Sequence, residues 1–264
     1  MMIKGDEIPM KKKNVFCSFA ILMIIPFLFS GCAGSSKSKF IHDGDFQYYY
    51  VKEDDCYAIV GTTVQGFEKD ILYIPPYFKD KPVLHMGYIF TEGYLGVENL
   101  YWISNNTDTP NSKDWDKIYF PYMIKEGYPA MWLMEKSGGG ELFFPNCNNE
   151  YNESLVWLAV KHQVNYYVSP PAYDYIVENV KDYGMIHKAN TLYMLNYEDA
   201  PNEGYFFVNN YTEGSLIQSA PYEPRREGHM FGGWYKEPEC INAWDFETDV
   251  LIGETKLYAA WIKK

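Results

Sequence analysis

Side chains able to do covalent or acid–base chemistry are few and scattered in this chain. Its histidines are His42, His85, His162, His187 and His229, and no two stand at a metal-ligand spacing. There is no HExxH and no GxSxG, so zinc-protease and serine-hydrolase machinery is not expected. Cys147 and His162 have the types of a thiol nucleophile and its base. Cys147, however, sits in Pro145-Asn146-Cys147-Asn148, which carries no thiol-enzyme signature. The acidic clusters Glu53-Asp54-Asp55 and Glu198-Asp199 offer oxygens to calcium without a fixed ligand loop, and read as solvated turns. Gly138-Gly139-Gly140 lacks the GK[ST] ending of a phosphate loop. No catalytic residue, metal site or cofactor is assigned, and the chain is expected not to be an enzyme.

One cysteine stands apart. Lys11, Lys12 and Lys13 precede an apolar run over residues 15–29, which ends in Phe29-Ser30-Gly31-Cys32. A basic flank, a short apolar stretch and small residues before a cleavage point make a secretory signal, and the run is too short to span a bilayer comfortably. Ser30-Gly31 before Cys32 resembles a bacterial lipobox, with Phe29 where leucine is usual. The resemblance implies cleavage before Cys32 and lipid on its thiol, and Met10 is the expected start. Each buried CH₂ of an acyl chain contributes about 0.8 kcal/mol, so two or more chains hold a protein stably. Residues 1–31 are thus read as a signal peptide and 32–45, rich in Ser, Gly and Lys at its start, as a tether. The expected location is the cell envelope, lipid-anchored and facing outward.

Composition bounds the rest. The net charge is −12, and removing residues 1–31 takes away four lysines and two acids, leaving −14. That balance argues against nucleic acid, where cationic side chains must replace counterions, and against electrostatic docking on anionic lipid. Aromatics make up 18% of the chain, which excludes disorder and suits strands. Beyond Cys17 and Cys32, the trio Cys56, Cys147 and Cys240 is odd in number and widely spaced, so it is no disulfide framework, although one pair could still bridge.

Strand-like segments recur with Leu72, Leu100, Ile118, Leu142 and Tyr166 as markers, at gaps of 28, 18, 24 and 24 residues. An apolar strand at this period marks a leucine-rich-repeat solenoid. Proline follows several of these segments and ends each one, because it has no donor for a further ladder bond. Ile74-Pro75, Lys81-Pro82-Val83, Gly87 and Phe90 resemble the BspA-like (treponemal) leucine-rich repeats of bacterial surface proteins, with Asp80 and Met86 replacing the usual glycine and isoleucine. Residues 46–189 are assigned to this repeat-like domain. Helices are expected after Asn152 and from Pro171 to a stop at Gly184.

Residues 190–264 form the second expected domain. Pro224, Arg226, Gly228, Phe231, Gly233, Trp234 and Tyr235, with distal Leu257, Tyr258, Ala259 and Trp261, resemble the Listeria–Bacteroides repeat, the internalin-type B-repeat. The resemblance implies a small β-grasp-like domain. Phe231, Trp234, Tyr258 and Trp261 are its expected core plates, with Trp234 read as core rather than ligand platform. The fold class is therefore mostly β with some α, a short solenoid followed by this module. Tyr49, Tyr101 and Tyr167 are the candidate binding aromatics, since strand alternation turns one of each adjacent pair outward. The expected function is non-enzymatic adhesion or binding of a protein or glycan at the cell surface. The alternatives are a carbohydrate-binding lipoprotein of nutrient capture and a structural envelope spacer.

Overall fold

The structure, a computed structural model, describes residues 40–86, 115–124, 140–146, 164–180 and 184–264. Cys32, Tyr101, Cys147, His162, the segment at 100–103 and the helix expected after Asn152 lie outside them.

The chain is mostly β. Its first sheet begins with β1 (Ile41–Asp43), β2 (Phe46–Val51) and β3 (Cys56–Thr62), paired antiparallel in sequence. β1 thus starts inside the segment read as tether, because Ile41 and Asp43 pair with Tyr48 and Phe46. The turn from β2 to β3 places Asp55 at φ 49°, a left-handed position that a short polar side chain tolerates. A one-turn helix, α1 (Val64–Glu68), follows. Thr63 caps it, accepting from Gly66 N at 3.2 Å and donating to the Gly44 carbonyl at 2.7 Å. Gly66 is dictated by space, for a Cβ there would lie 2.2 Å from the Asp45 carbonyl oxygen.

β4 (Ile71–Tyr73) leaves this sheet and opens a second. β5 (Tyr77–Phe78) and β6 (Lys81–Met86) return to the first, β6 lying parallel to β3. The second sheet is completed by β7 (Lys117–Tyr119), β8 (Glu141–Phe144), β9 (Asn165–Val168) and β10 (Ile186–Lys188), all parallel and in chain order from β4. One register row, Leu72, Ile118, Leu142, Tyr166 and Ile186, points into the core, with no residue above 4% exposed. β4 pairs directly with β7, so Leu72 and Ile118 are neighbouring rungs. Ile74 N donates to Tyr119 O and Phe120 N to Phe143 O, both at 2.9 Å, and Pro75 and Pro121 then end the ladder for want of an N–H.

The helix after β9, α2 (Pro170–Asn179), is shorter than its apolar spacing suggests. Val180 is already extended (φ −113°, ψ 130°) and packs against the core that holds Ala172 and Ile176, so the helix ends there and not at Gly184.

The third sheet comprises β11 (Thr191–Met194), β12 (Tyr205–Asn209), β13 (His229–Tyr235) and β14 (Thr255–Lys263), in the order β12-β11-β14-β13. β11 and β14 are parallel, and both outer pairs are antiparallel. A bulge between Phe231 and Trp234 is built on Gly233 at φ 104°. Trp234 is buried, and Phe231 and Trp261 pack beside it. Tyr258 alternates to the opposite face from buried Leu257 and Ala259, so it is not a core plate.

The core does not stop at residue 190. Tyr119, Tyr122 and Phe143 from the parallel sheet share one cluster with Leu192, Tyr193, Phe207, Trp234 and Leu257 of the third sheet. Residues 38–264 accordingly form one compact unit.

Candidate functional site

Strand alternation in the parallel sheet gives a second register row, on the face opposite the Leu72 row. It reads Tyr73, Tyr119, Phe143, Tyr167 and His187. The rings stack along the sheet at 4.7, 4.4, 4.9 and 5.1 Å, and the first three pairs lie within 14° of parallel. A polar row runs beside them. Lys117 pairs with Glu141 at 2.7 Å and lies 5.5 Å over the Phe143 ring. The Tyr167 hydroxyl donates to Glu141 Oε1 at 3.3 Å, and His187 Nε2 lies 3.0 Å from Asn165 Oδ1.

The third sheet roofs this ladder. Phe207 of β12 stacks on Tyr119 at 5.2 Å, and the Tyr119 hydroxyl donates to Asn209 Oδ1 at 3.2 Å. The Tyr222 hydroxyl donates to the Tyr73 carbonyl at 2.6 Å, and Asn202 Nδ2 to the Pro145 carbonyl at 2.8 Å. Arg225 lies over the Tyr77 ring at 4.6 Å and donates to the Lys79 carbonyl at 3.2 Å. Between ladder and roof remains a cavity of about 10 Å³ among Tyr73, Tyr119, Tyr122, Phe206, Phe207 and Tyr222. That is at the lower limit for a single water, so the seam is a packed contact and not a cleft.

Burial pushes the phenols of Tyr119, Tyr122 and Tyr222 well above the ordinary tyrosine range. Tyr167 moves the same way, through burial first and the Glu141 carboxylate next. A general base or nucleophile needs the reverse shift. These hydroxyls stay neutral and brace the ladder through hydrogen bonds.

Of the sequence-predicted aromatics, the two among the described residues, Tyr49 and Tyr167, stand on different sheets. Tyr167 is half-buried on β9, packed against the cluster shared with the third sheet. Tyr49 is half-buried on β2, its ring centre 6.0 Å from Phe40, beside a separate small cluster of Val51, Cys56, Ala58, Val60 and Leu84. Tyr48 faces the other way, into the main core, stacked on Phe78 at 3.7 Å.

Two groupings escaped the sequence reading. One is an open polar cleft of about 320 Å³ lined by His42, Asp43, Gln47, Thr62, Thr63 and Gln65. The other brings Asp54, Cys56 and His85 together, with one donor atom from each lying within 4.8 Å of the others. Cys240 is outside any disulfide.

Comparison with known proteins bears on the roof. Residues 193–260 match the model of the Listeria-Bacteroides repeat domain. The third sheet is similar to that repeat. The repeat module therefore supplies Phe207, Asn209 and Tyr222 to the seam. A protein of Evansella cellulosilytica named as a Gly-rich membrane protein is 46% identical over 50 residues, covering 19% of this chain and 6% of the relative. A second protein of that organism, named as a membrane protein, is 50% identical over 48 residues, covering 18% of this chain and 7% of the relative. The chain thus spans only a small part of the length of the relatives it matches. Among the described residues no helix is long and apolar enough to cross a membrane.

Proposed function

We propose that this protein is a non-enzymatic, lipid-anchored surface protein that binds a macromolecular partner outside the cell. Lipid on Cys32 is the anchor, and the parallel ladder is read as a leucine-rich-repeat-type scaffold carrying a β-grasp-like repeat module. The observation that carries this reading is the repeat match over 193–260, in a chain whose relatives are named as membrane proteins. The packed seam adds to it. The module is fixed on the scaffold through Tyr119, Phe207 and Tyr222, so the two present a single rigid surface. The ladder's outward face serves mainly to seat the module, and binding falls to the half-buried end of the ladder, at Tyr167, His187 and the polar row beside them.

The test is cross-linking and pull-down from intact cells, comparing the natural protein with Cys32→Ala and with Tyr167→Ala. Loss of membrane association in the first and of the captured partner in the second is expected. Membrane association unchanged in Cys32→Ala would end the anchored reading.

Carbohydrate binding is a second reading, favoured by the 320 Å³ cleft. Gln47 is 3% exposed there; its Nε2 donates to the Thr62 carbonyl at 2.9 Å, while its Oε1 is buried without a partner among the described residues. A buried acceptor of this kind is costly unless a donor such as a sugar hydroxyl meets it. A glycan array without hits, alongside a captured protein, decides against this reading.

A further inference from the structure

The geometry points to a transition-metal site at the base of the first hairpin, formed by the carboxylate of Asp54, the thiolate of Cys56 and the imidazole of His85, with zinc the ion its donors suit. Asp54 lies in the turn between β2 and β3, Cys56 opens β3, and His85 comes from β6, the parallel neighbour of β3. His85 stands opposite Ala58, and Cys56 is two residues before Ala58, so thiol and imidazole emerge on one face of the sheet. His85 Nε2 lies 2.8 Å from Asp54 Oδ2. One donor atom from each residue falls within 4.8 Å of the other two, so small side-chain shifts would bring them to the roughly 3.3–3.8 Å edges of a tetrahedral site with bonds of about 2.0–2.3 Å.

Chemistry selects the ion. One sulfur, one nitrogen and one oxygen donor form a borderline set that suits zinc, whereas calcium and magnesium take oxygen. Thiolate and carboxylate together balance a divalent charge. Binding releases the thiol proton to solvent, and the ion replaces the direct contact between His85 and Asp54.

Burial supplies the remaining conditions. Cys56 is fully buried and the His85 side chain is 6% exposed, against walls of Val51, Ala58, Val60 and Leu84, while Asp54 is 47% exposed. The ion therefore enters from the Asp54 side, and the fourth position faces solvent. The neighbouring acid does not compete. Asp55 is held by Lys81 Nζ at 2.6 Å and by the Tyr50 hydroxyl, which leaves Asp54 to the site. The ion would tie the β2–β3 turn to β6.

The test uses the full chain purified in detergent with Cys147→Ser and Cys240→Ser in the background, stripped with chelator, then titrated with zinc or cobalt salt alone. One equivalent should bind, cobalt should give a thiolate charge-transfer band, and zinc should raise the unfolding temperature. Asp54→Asn, at an exposed position, should weaken zinc by more than about tenfold, with Asp55→Asn unchanged as control. Cys56→Ala should abolish the cobalt band; if that variant does not fold, the band in the parent and its loss in His85→Gln decide. No thiolate band in the parent, or equal zinc affinity in Asp54→Asn, overturns the proposal and leaves an ion pair beside a buried thiol.

Discussion

Replacing Phe207 by alanine tests whether ladder and repeat module are one cooperative body. Phe207 is 7% exposed, stacks on Tyr119 at 5.2 Å and meets Tyr193 edge-to-face at 5.4 Å. It therefore belongs to both halves of the shared core. Truncating a buried phenylalanine costs about 3–5 kcal/mol, of which each aromatic pair contributes roughly 0.5–1.5 kcal/mol. In a body of this size, 1 kcal/mol moves the unfolding temperature by about 2–4 °C, so a drop of roughly 6–20 °C is expected. Differential scanning calorimetry of the natural protein should show one transition over residues 38–264, and Phe207→Ala should lower it as a unit. Tyr119→Phe is the graded companion. It loses the bond to Asn209 Oδ1, but that oxygen still accepts from Asn210 N at 2.8 Å, so the cost should be no more than about 1 kcal/mol. Two resolved transitions, with Phe207→Ala shifting only one, would refute the shared-core reasoning.

Two further outcomes follow from particular contacts. Gly66→Ala should destabilise by about 2 kcal/mol or more in urea unfolding, since its Cβ meets the Asp45 carbonyl at 2.2 Å and backbone must move; a neutral result would mean that α1 does not pack on that turn. Alkaline pH gives the second. Tyr119, Tyr122 and Tyr222 have phenols raised by burial, so above about pH 10 the unfolded chain loses those protons first. Stability should be level below that pH and fall as pH climbs, and tyrosinate absorbance should show a fraction that ionises only on unfolding. Full ionisation of every tyrosine in the folded state would contradict the seam.

Much of the ladder was legible because its signal is local. Leu72, Ile118, Leu142 and Tyr166 are spaced as rungs, and proline after Ile74 and Phe120 marks where each ladder must stop. The repeat module was legible because Gly233 and Trp234 stand in a recognisable run with distal Leu257 and Trp261, although the bulge itself forms against β14. What escaped depends on distance. A period of two assigns Tyr166 and Tyr167 to opposite faces but does not say that Phe207 and Tyr222 will roof part of the outward one. The apolar segment at Leu100 lies outside the described residues, and β4 takes β7 as its direct neighbour. Asp54, Cys56 and His85 span 31 positions and meet only because β6 lies beside β3, a pairing that spacing rules for metal ligands do not encode. The early end of α2 likewise reflects tertiary packing, with Val180 turning into the core before its helical pattern runs out.

The anchor is tested most directly at the amino terminus of the native protein. Mass spectrometry of protein extracted from membranes of its own cells should find a chain beginning at Cys32, with the mass of acyl groups on it. A chain recovered from the cytosol with residues 10–31 intact and an unmodified Cys32 would contradict the account.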